Sequence, residues 1–400
     1  MPNRTARALR GALALVFLLS CVACGTNEGG SASEPSTPAD EARPATGERE
    51  ATEGPAPGGG GQGSSDRDPV EVGRSVIATG LEVPWGFAFL PDGDAIFTER
   101  DSGRLLRMDA SGNVEEVQTL PTRGYGEGGS LGLAVSPGYG RDGYVYVYYT
   151  TGEDNRVVRF RLGEEPEPIL TGIPFNTYHD GGRIAFGPDG MLYVATGDAG
   201  DPASSQDRGS LGGKILRLTP DGGVPQDNPF PGSLVYSYGH RNVEGLAWDE
   251  GGRLYASEFG QDAFDEVNLI RPGENYGWPE FEGDGGEEAE AAGFVNPVTT
   301  WPTSEASPSG AEVLKDGTIP QWEGDLFVAA LRGQRLWRLE LGPDGRVVGR
   351  VELLRDEVGR IRNVMQAPDG SLWVTTSNRD GRGSPAPRDD RIIRLAPEGR

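Results

Sequence analysis

The sequence is poor in the residues that most often perform chemistry. In 400 residues it has two cysteines, Cys21 and Cys24, and two histidines, His179 and His240. Both cysteines precede residue 25, so the body of the chain has none with which to form a disulfide. Basic residues are short as well: 37 Lys and Arg stand against 61 Asp and Glu, a formal charge of −24. That balance argues against a nucleic-acid binder, which needs a net basic face for phosphate. It leaves room for a local basic pocket. Long apolar runs are missing too. Gly11 to Ala23 is the one stretch worth weighing, and it is too short for a spanning helix. After Val72 no segment sustains a long 3.6-residue apolar period, so extended amphipathic helices are not expected.

What is abundant is turn chemistry, with 63 Gly and 31 Pro. At the N-terminus, Arg4, Arg7 and Arg10 precede the apolar stretch Ala12 to Leu19. That layout is an export signal, expected over residues 1–23. Leu18-Leu19-Ser20-Cys21 and Val22-Ala23-Cys24-Gly25 each resemble a bacterial lipoprotein cleavage site. A lipid on Cys21 or Cys24 would hold the protein on the outer face of a membrane, periplasmic or cell-surface. The bland alternative is a plain cleaved signal with incidental cysteines. Residues 24–71 are rich in Gly, Ser, Pro, Ala, Glu and Thr. They offer too little apolar surface to offset the entropy of ordering, so a disordered tether is expected. The folded domain is expected over residues 72–400.

From Pro84 onward one pattern recurs: a small apolar strand, a Pro-Asp-Gly-type turn, a second apolar strand, a polar loop and a third strand rich in Arg and Leu. Trp85-Gly-Phe-Ala-Phe-Leu-Pro-Asp-Gly93, Ala95 to Thr98 and Arg104 to Met108 form the first copy. Further copies begin at Leu131, Gly182, Gly245, Ala311 and Val364. Short apolar runs separated by Gly, Asp and Pro read as strands and hairpin turns. Six such units predict an all-β, six-bladed β-propeller around a central channel. Ser75 to Ala78 is expected to complete the last blade and close the ring. An irregular β-sandwich is the structural alternative. In a propeller, loops gathered at one end of the channel are the expected site.

Both histidines fall in such loops. His179 lies in His-Asp-Gly-Gly-Arg183, where glycines let a ligand approach closely, and a histidine suits general-base work near neutrality. His240, between Gly239 and Arg241, reads better as a hydrogen-bonded structural residue. Asp198, in Thr-Gly-Asp-Ala-Gly-Asp201, is either a turn residue or the carboxylate that orients a base histidine. Glu258, Asp265 and Glu266 flank a Gly-rich acidic loop compatible with calcium. Arg241, Arg332, Arg360 and Arg362 occupy matching positions in three successive repeats. They are either surface ion-pair partners or, if they converge, a pocket for carboxylates.

At these residues the sequence resembles the soluble, pyrroloquinoline-quinone-dependent sugar dehydrogenases, the glucose/sorbosone and aldose sugar dehydrogenase group. The resemblance spans about residues 75–397. It rests on His179 to Arg183, Gly212-Gly-Lys-Ile-Leu-Arg-Leu218, Asp227-Asn-Pro-Phe230, Tyr238-Gly-His-Arg-Asn242, Asp265-Glu-Val-Asn-Leu269 and Asn275-Tyr-Gly-Trp278. By resemblance the fold is a six-bladed propeller and the reaction is oxidation of an aldose to its lactone. His179 would be the general base, held by Asp198. Arg241 and Asn242 would contact the quinone, and Arg332, Arg360 and Arg362 would grip its carboxylates. One Ca2+ would sit on the backbone carbonyls of Gly260 and Gln261. A second, structural Ca2+ region matches Asp265, Glu266 and the backbone of Tyr276.

Three positions depart from the family pattern: Glu127 replaces a glutamine, Phe259 a glutamine or histidine, and Arg332 a lysine. Glu127 and Phe259 fall on the sugar side, so they bear on substrate identity. Gln261 also replaces a proline, which a backbone ligand tolerates. Two other functions fit a propeller, a non-enzymatic module that binds sugar or protein and a calcium-dependent lactonase. The expected partners are an aldose and an electron acceptor whose identity the sequence does not give.

Overall fold

The computed structural model describes residues 71–398. The expected export signal, and the tether up to residue 70, lie outside them. Among the described residues the strands form six four-stranded sheets. Five sheets are built in chain order, over residues 84–119, 130–173, 184–238, 243–302 and 308–353. The sixth takes Ile361–Gln366, Leu372–Thr376 and Arg391–Pro397 and completes itself with Val72–Thr79. That last strand pairs antiparallel from Val72 opposite Pro397 to Thr79 opposite Arg391. The predicted six-bladed ring and its closing strand are therefore both present.

Five of the six blades have one strand more than the repeat pattern revealed. The added outer strands are Val114–Thr119, Glu167–Ile173, Val235–Tyr238, Thr299–Pro302 and Val347–Leu353. Val347–Leu353 alternates half-buried with exposed residues. A strand buried on one face only, at a sheet edge, lacks the continuous apolar run by which the inner strands announce themselves.

Six apolar clusters account for the packing, and each joins one adjacent pair of blades. Leu131, Tyr146 and Tyr148 of blade 2 pack on Ile184, Leu192 and Leu216 of blade 3. Phe87 and Phe97 of blade 1 share a cluster with Met365 and Ile392 of blade 6. The other four junctions are built likewise. Burial at about 25 cal/mol per Å² of apolar surface thus acts around the circumference. No central core is needed.

Near the axis the constraint is steric. The third residue of four first strands is glycine: Gly86, Gly132, Gly245 and Gly310. A Cβ on Gly132 would lie 2.1 Å from the Gly182 carbonyl oxygen, and one on Gly245 2.4 Å from that of Ser309. Neighbouring first strands therefore meet backbone to backbone.

The topology also decides where a site can form. Strands one and two of a blade are antiparallel, so the start of the first and the end of the second lie at the same end of the ring. Twelve loop positions, two per blade, share that end.

Gly132→Ala tests the axial packing. It is expected to destabilise the domain by about 3 kcal/mol, the scale of overpacking a buried site. Gly140→Ala, with open space around its Cβ, is the control and leaves the thermal midpoint unchanged.

Candidate active site

His179 lies just ahead of the first strand of blade 3, Ile184–Phe186, and Asp198 just after the second, Leu192–Ala195. The turn that carries His179 is tight: His179 has φ 62°, Gly181 62° and Gly182 106°. Gly197 fits beneath it, since a Cβ there would fall 1.9 Å from the His179 carbonyl oxygen. The result is a 2.7 Å contact between His179 Nδ1 and Asp198 Oδ1. Asp198 is fully enclosed; its Oδ1 also accepts Gly200 N–H at 2.8 Å and its Oδ2 the Trp278 indole N–H at 2.9 Å. Burial pushes the Asp198 carboxyl up, but the hydrogen bond and charge of His179 outweigh it and hold the group below its ordinary range. With Nδ1 taken, Nε2 is the ring nitrogen left for chemistry.

His240 has no such freedom. It is fully buried, with Nδ1 2.8 Å from Glu258 Oε2, Nε2 2.9 Å from Ser237 Oγ, and its ring stacked on Tyr276. It is the structural residue that its sequence setting indicated.

Beside His179 opens a cavity of about 560 Å³ lined by Trp85, Glu127, Glu244, Phe259, Arg332 and Arg360, among others. Arg362, Asp380 and Arg382 complete its basic side. The backbone N–H of His179 donates to Glu127 Oε2 at 2.8 Å, and Arg241 Nη1 donates to the Phe259 carbonyl at 3.3 Å. Through Glu127 and Phe259, two of its lining residues, the cavity that Arg360 and Arg362 line is thus tied to His179 and Arg241. Asn242 locks the junction, its Oδ1 accepting the Gly181 N–H at 2.9 Å.

The electrostatics are unusual for a chain of −24. Arg360 pairs with Asp380 at 2.9 Å, and Arg362 with Glu244 at 2.5 Å. Arg183 stands 4.3 Å from the Trp85 ring and donates from Nε to the Glu244 carbonyl. Burial pulls its guanidinium down to about 9, partly offset by Glu244, which leaves it charged at neutral pH. Burial also lowers Arg241 and Arg360. These guanidiniums carry buried N–H groups with no partner: Arg183 Nη2, Arg241 Nε and Arg362 Nε. Arg332 is exposed at the rim without an ion-pair partner among the described residues. Unpaired buried donors cost about 1–3 kcal/mol each, and of these three guanidiniums Arg362 lines the cavity.

A family model described as glucose/sorbosone dehydrogenase matches residues 81–393. The chain belongs to the glucose/sorbosone dehydrogenase family. Aldose sugar dehydrogenase from Streptomyces coelicolor, solved in a PQQ-bound form, is 49% identical with a TM-score of 0.75, covering 82% of this chain and 99% of that one. Aldose sugar dehydrogenase YliI of Escherichia coli is 30% identical over 78% of this chain and 92% of its own. Quinoprotein glucose dehydrogenase B of Acinetobacter calcoaceticus is 30% identical over 76% and 85%. This dehydrogenase is therefore an oxidoreductase.

The loop after the second strand of blade 4 shows which atoms of the dehydrogenase suit a hard cation. Glu282 Oε1 accepts four successive backbone N–H groups, from Gln261, Asp262, Ala263 and Phe264, at 2.6, 2.9, 3.0 and 3.2 Å. Each peptide is planar, so the carbonyls of Gly260 and Gln261 point away from Glu282. Among the described residues no donor takes either oxygen. Asp265 Oδ1 fixes the Gly260 N–H at 3.0 Å, and its Oδ2 accepts that of Ser307 at 2.6 Å. Burial pushes Asp265 up to about 6. Two free carbonyls on one side of a pinned loop are a donor set that fits Ca2+.

The second calcium region does not assemble from its side chains. Asp265 and Glu266 are successive residues of the strand Phe264–Ile270, so they point to opposite faces. Glu266 faces Asn268 and the Gly283 N–H, at 2.7 and 3.1 Å, and burial beside Glu258 drives its pKa up. Asp265 and Glu266 therefore do not meet on one ion. Sequence reasoning also passed over Glu244, Asp380, Arg382 and Glu282. Asp380 and Arg382 occupy the same loop position in blade 6 that Asp198 holds in blade 3, and that correspondence was the available signal.

Glu282→Ala is predicted to loosen the 260–264 loop. Calcium affinity measured by chelator competition should fall about 10-fold or more, the scale of charge-assisted hydrogen bonds. The rest of the ring should keep its circular dichroism.

Proposed function

We propose that this dehydrogenase oxidises an aldose at its anomeric carbon to the lactone, with pyrroloquinoline quinone as oxidant and Ca2+ beside it. The observation that carries the reading is the His179–Asp198 pair beside a cavity lined by Arg332, Arg360 and Arg362, the last with a buried N–H to spare. The relative solved with PQQ, at 49% identity, supports the same oxidant. Arg241, Asn242, Arg332, Arg360 and Arg362 would hold the quinone, and the carbonyls of Gly260 and Gln261 would hold Ca2+. When bound, the quinone supplies a carbon that accepts hydride, and Ca2+ raises its electrophilicity.

The residues of the chain do the rest. His179 Nε2 takes the proton of the anomeric hydroxyl as the C–H bond of that carbon breaks with its electron pair. The sugar so loses one proton and one hydride, and a C=O bond replaces the C–O bond. Asp198 fixes the tautomer with Nδ1 protonated and stabilises the imidazolium that forms. Arg241, 5.3 Å over the Trp278 ring, offers donors where negative charge grows on the oxidant's oxygen. Phe259 and the wall around it narrow the site on the sugar side.

A calcium-dependent lactonase would need carboxylates and asparagines around an axial metal. Here the axis holds Arg183, Arg362 and Trp85 around Glu244. Family membership and the histidine–aspartate pair likewise favour an enzyme over a passive binding module. Export and a lipid on Cys21 or Cys24 belong to the same reading. Replacing both cysteines with serine should move the protein from the detergent-extracted to the soluble fraction.

His179→Ala is predicted to lower kcat by about 10³-fold, in the range of lost general-base catalysis, with quinone binding retained. Arg360→Ala should weaken quinone binding about 10-fold or more. Product analysis by NMR should show the lactone. A kcat left intact in His179→Ala contradicts the assignment of the base.

A further inference from the structure

The axis of the ring holds a second cavity, beyond the catalytic one. Its volume is about 310 Å³, and each blade supplies an apolar side chain to its wall: Phe87, Leu133, Phe186, Leu246, Ala311 and Val364. All six belong to first strands, and none stands at the start of its strand. First strands begin at the catalytic end, so this cavity lies toward the opposite end of the axis. Its wall carries two charged side chains, Arg183 and Glu312. Arg183 directly precedes the strand Ile184–Phe186 and stands at the inner end of the cavity. Glu312 is the last residue but one of the strand Pro308–Val313 and stands near the outer end.

Arg183 divides the two cavities. Its guanidinium lies 4.3 Å from the Trp85 ring, and its Nε donates to the Glu244 carbonyl at 2.7 Å. Trp85 and Glu244 line the catalytic cavity, whereas Arg183 lines the axial one. Arg183 is 7% exposed, and its Nη2 has no partner. Its charge is under-compensated as well. Arg183, Arg360 and Arg362 share two carboxylates, Glu244 and Asp380. One positive charge is left over, and a buried charge without a counter-ion is costly. An anion reaching Arg183 along the axis would meet both needs, the missing acceptor and the missing charge.

We propose that this axial cavity is a binding site for a short apolar monocarboxylate, its carboxylate on the Arg183 guanidinium and its hydrocarbon part against the apolar wall. The charge of the ligand follows from Arg183, its body from the six blades. Glu312 sets the orientation. Burial pushes its carboxyl up to about 7, and at the outer end it selects against a second acid group, so the one carboxylate points inward. The volume leaves room for about ten non-hydrogen atoms, each taking the share of a water in the liquid. A polyhydroxylated acid, such as a hydrolysed sugar lactone, would leave its hydroxyls unpaired against this wall. The site lies outside the catalytic cavity and does not rest on the redox reading.

The test is calorimetric titration of the full chain with hexanoate, set against hexan-1-ol, hexylamine and gluconate, with and without quinone and Ca2+. Hexanoate should bind at one per chain, about 10-fold or more tighter than hexan-1-ol, the scale of a charge-assisted pair. Hexylamine and gluconate should show no saturable binding. Arg183→Met should weaken hexanoate about 10-fold or more, and Glu312→Gln should tighten it about 3-fold. Ala88→Phe, at another wall position, fills the cavity with Arg183 still present and should abolish binding. Absence of saturable hexanoate binding in the wild type overturns the site, as does binding that survives Ala88→Phe. Equal affinity for hexan-1-ol, or no loss in Arg183→Met, overturns the role of Arg183, and the alcohol comparison decides should that variant not fold. Gluconate or hexylamine binding as tightly as hexanoate overturns the ligand class. Hexanoate binding that disappears when quinone is added belongs to the catalytic cavity and also overturns the proposal.

Discussion

Antiparallel pairing within a blade, together with closure of the ring, is the constraint on which the site depends. It brings the start of every first strand and the end of every second strand to one face. Glu127, His179, Arg241 and Arg360 come from the first kind of loop; Asp198, Gly260, Arg332 and Asp380 from the second. The strand Val72–Thr79 locks the circle by pairing with Arg391–Pro397. Without that closure blade 6 would be free of blade 1, and the Glu127–Arg382 contact that crosses the junction would be lost.

Charge does the second part of the work. The chain is strongly acidic overall, yet its functional mouth gathers arginines from four blades. Asp380 and Glu244 neutralise part of that charge, and the charges of Arg360 and Arg362 hold Asp380 below its ordinary range despite burial. The pairing is incomplete: Arg183 Nη2, Arg241 Nε and Arg362 Nε are buried without a partner. Trp85, its ring 4.3 Å from Arg183 and 5.6 Å from Arg362, gives these arginines an aromatic neighbour that tolerates guanidinium groups.

Much of this was legible in the sequence, for identifiable reasons. The inner strands are buried on both faces and stand out as apolar runs between Gly-rich turns, so blade number and closure could be read. His179 and Asp198 were legible because the chain has so few histidines and sets this one among glycines. The outer strands were not, because edge strands such as Val347–Leu353 bury one face and look polar. The grouping of Asp265 with Glu266 failed on strand alternation, which sends adjacent side chains to opposite faces. Glu282 was invisible for another reason, and Arg382 was marked only by the loop position it shares with Asp198. Their roles lie in partners 18 to 255 positions away, and nothing local marks a glutamate that collects four amides. Glu127 could be noticed as a departure from the family pattern, but not the cation that compensates it.

The central claim is that a tri-acid quinone completes this arginine cluster beside His179. The most direct measurement is a titration of the apo-protein with pyrroloquinoline quinone in the presence of Ca2+, followed by the absorbance of the quinone, and then addition of aldose. The account predicts saturation at one quinone per chain and a spectral change to the reduced form when sugar is added. Absence of saturable binding, or a bound quinone that stays oxidised across a broad aldose panel, would contradict it.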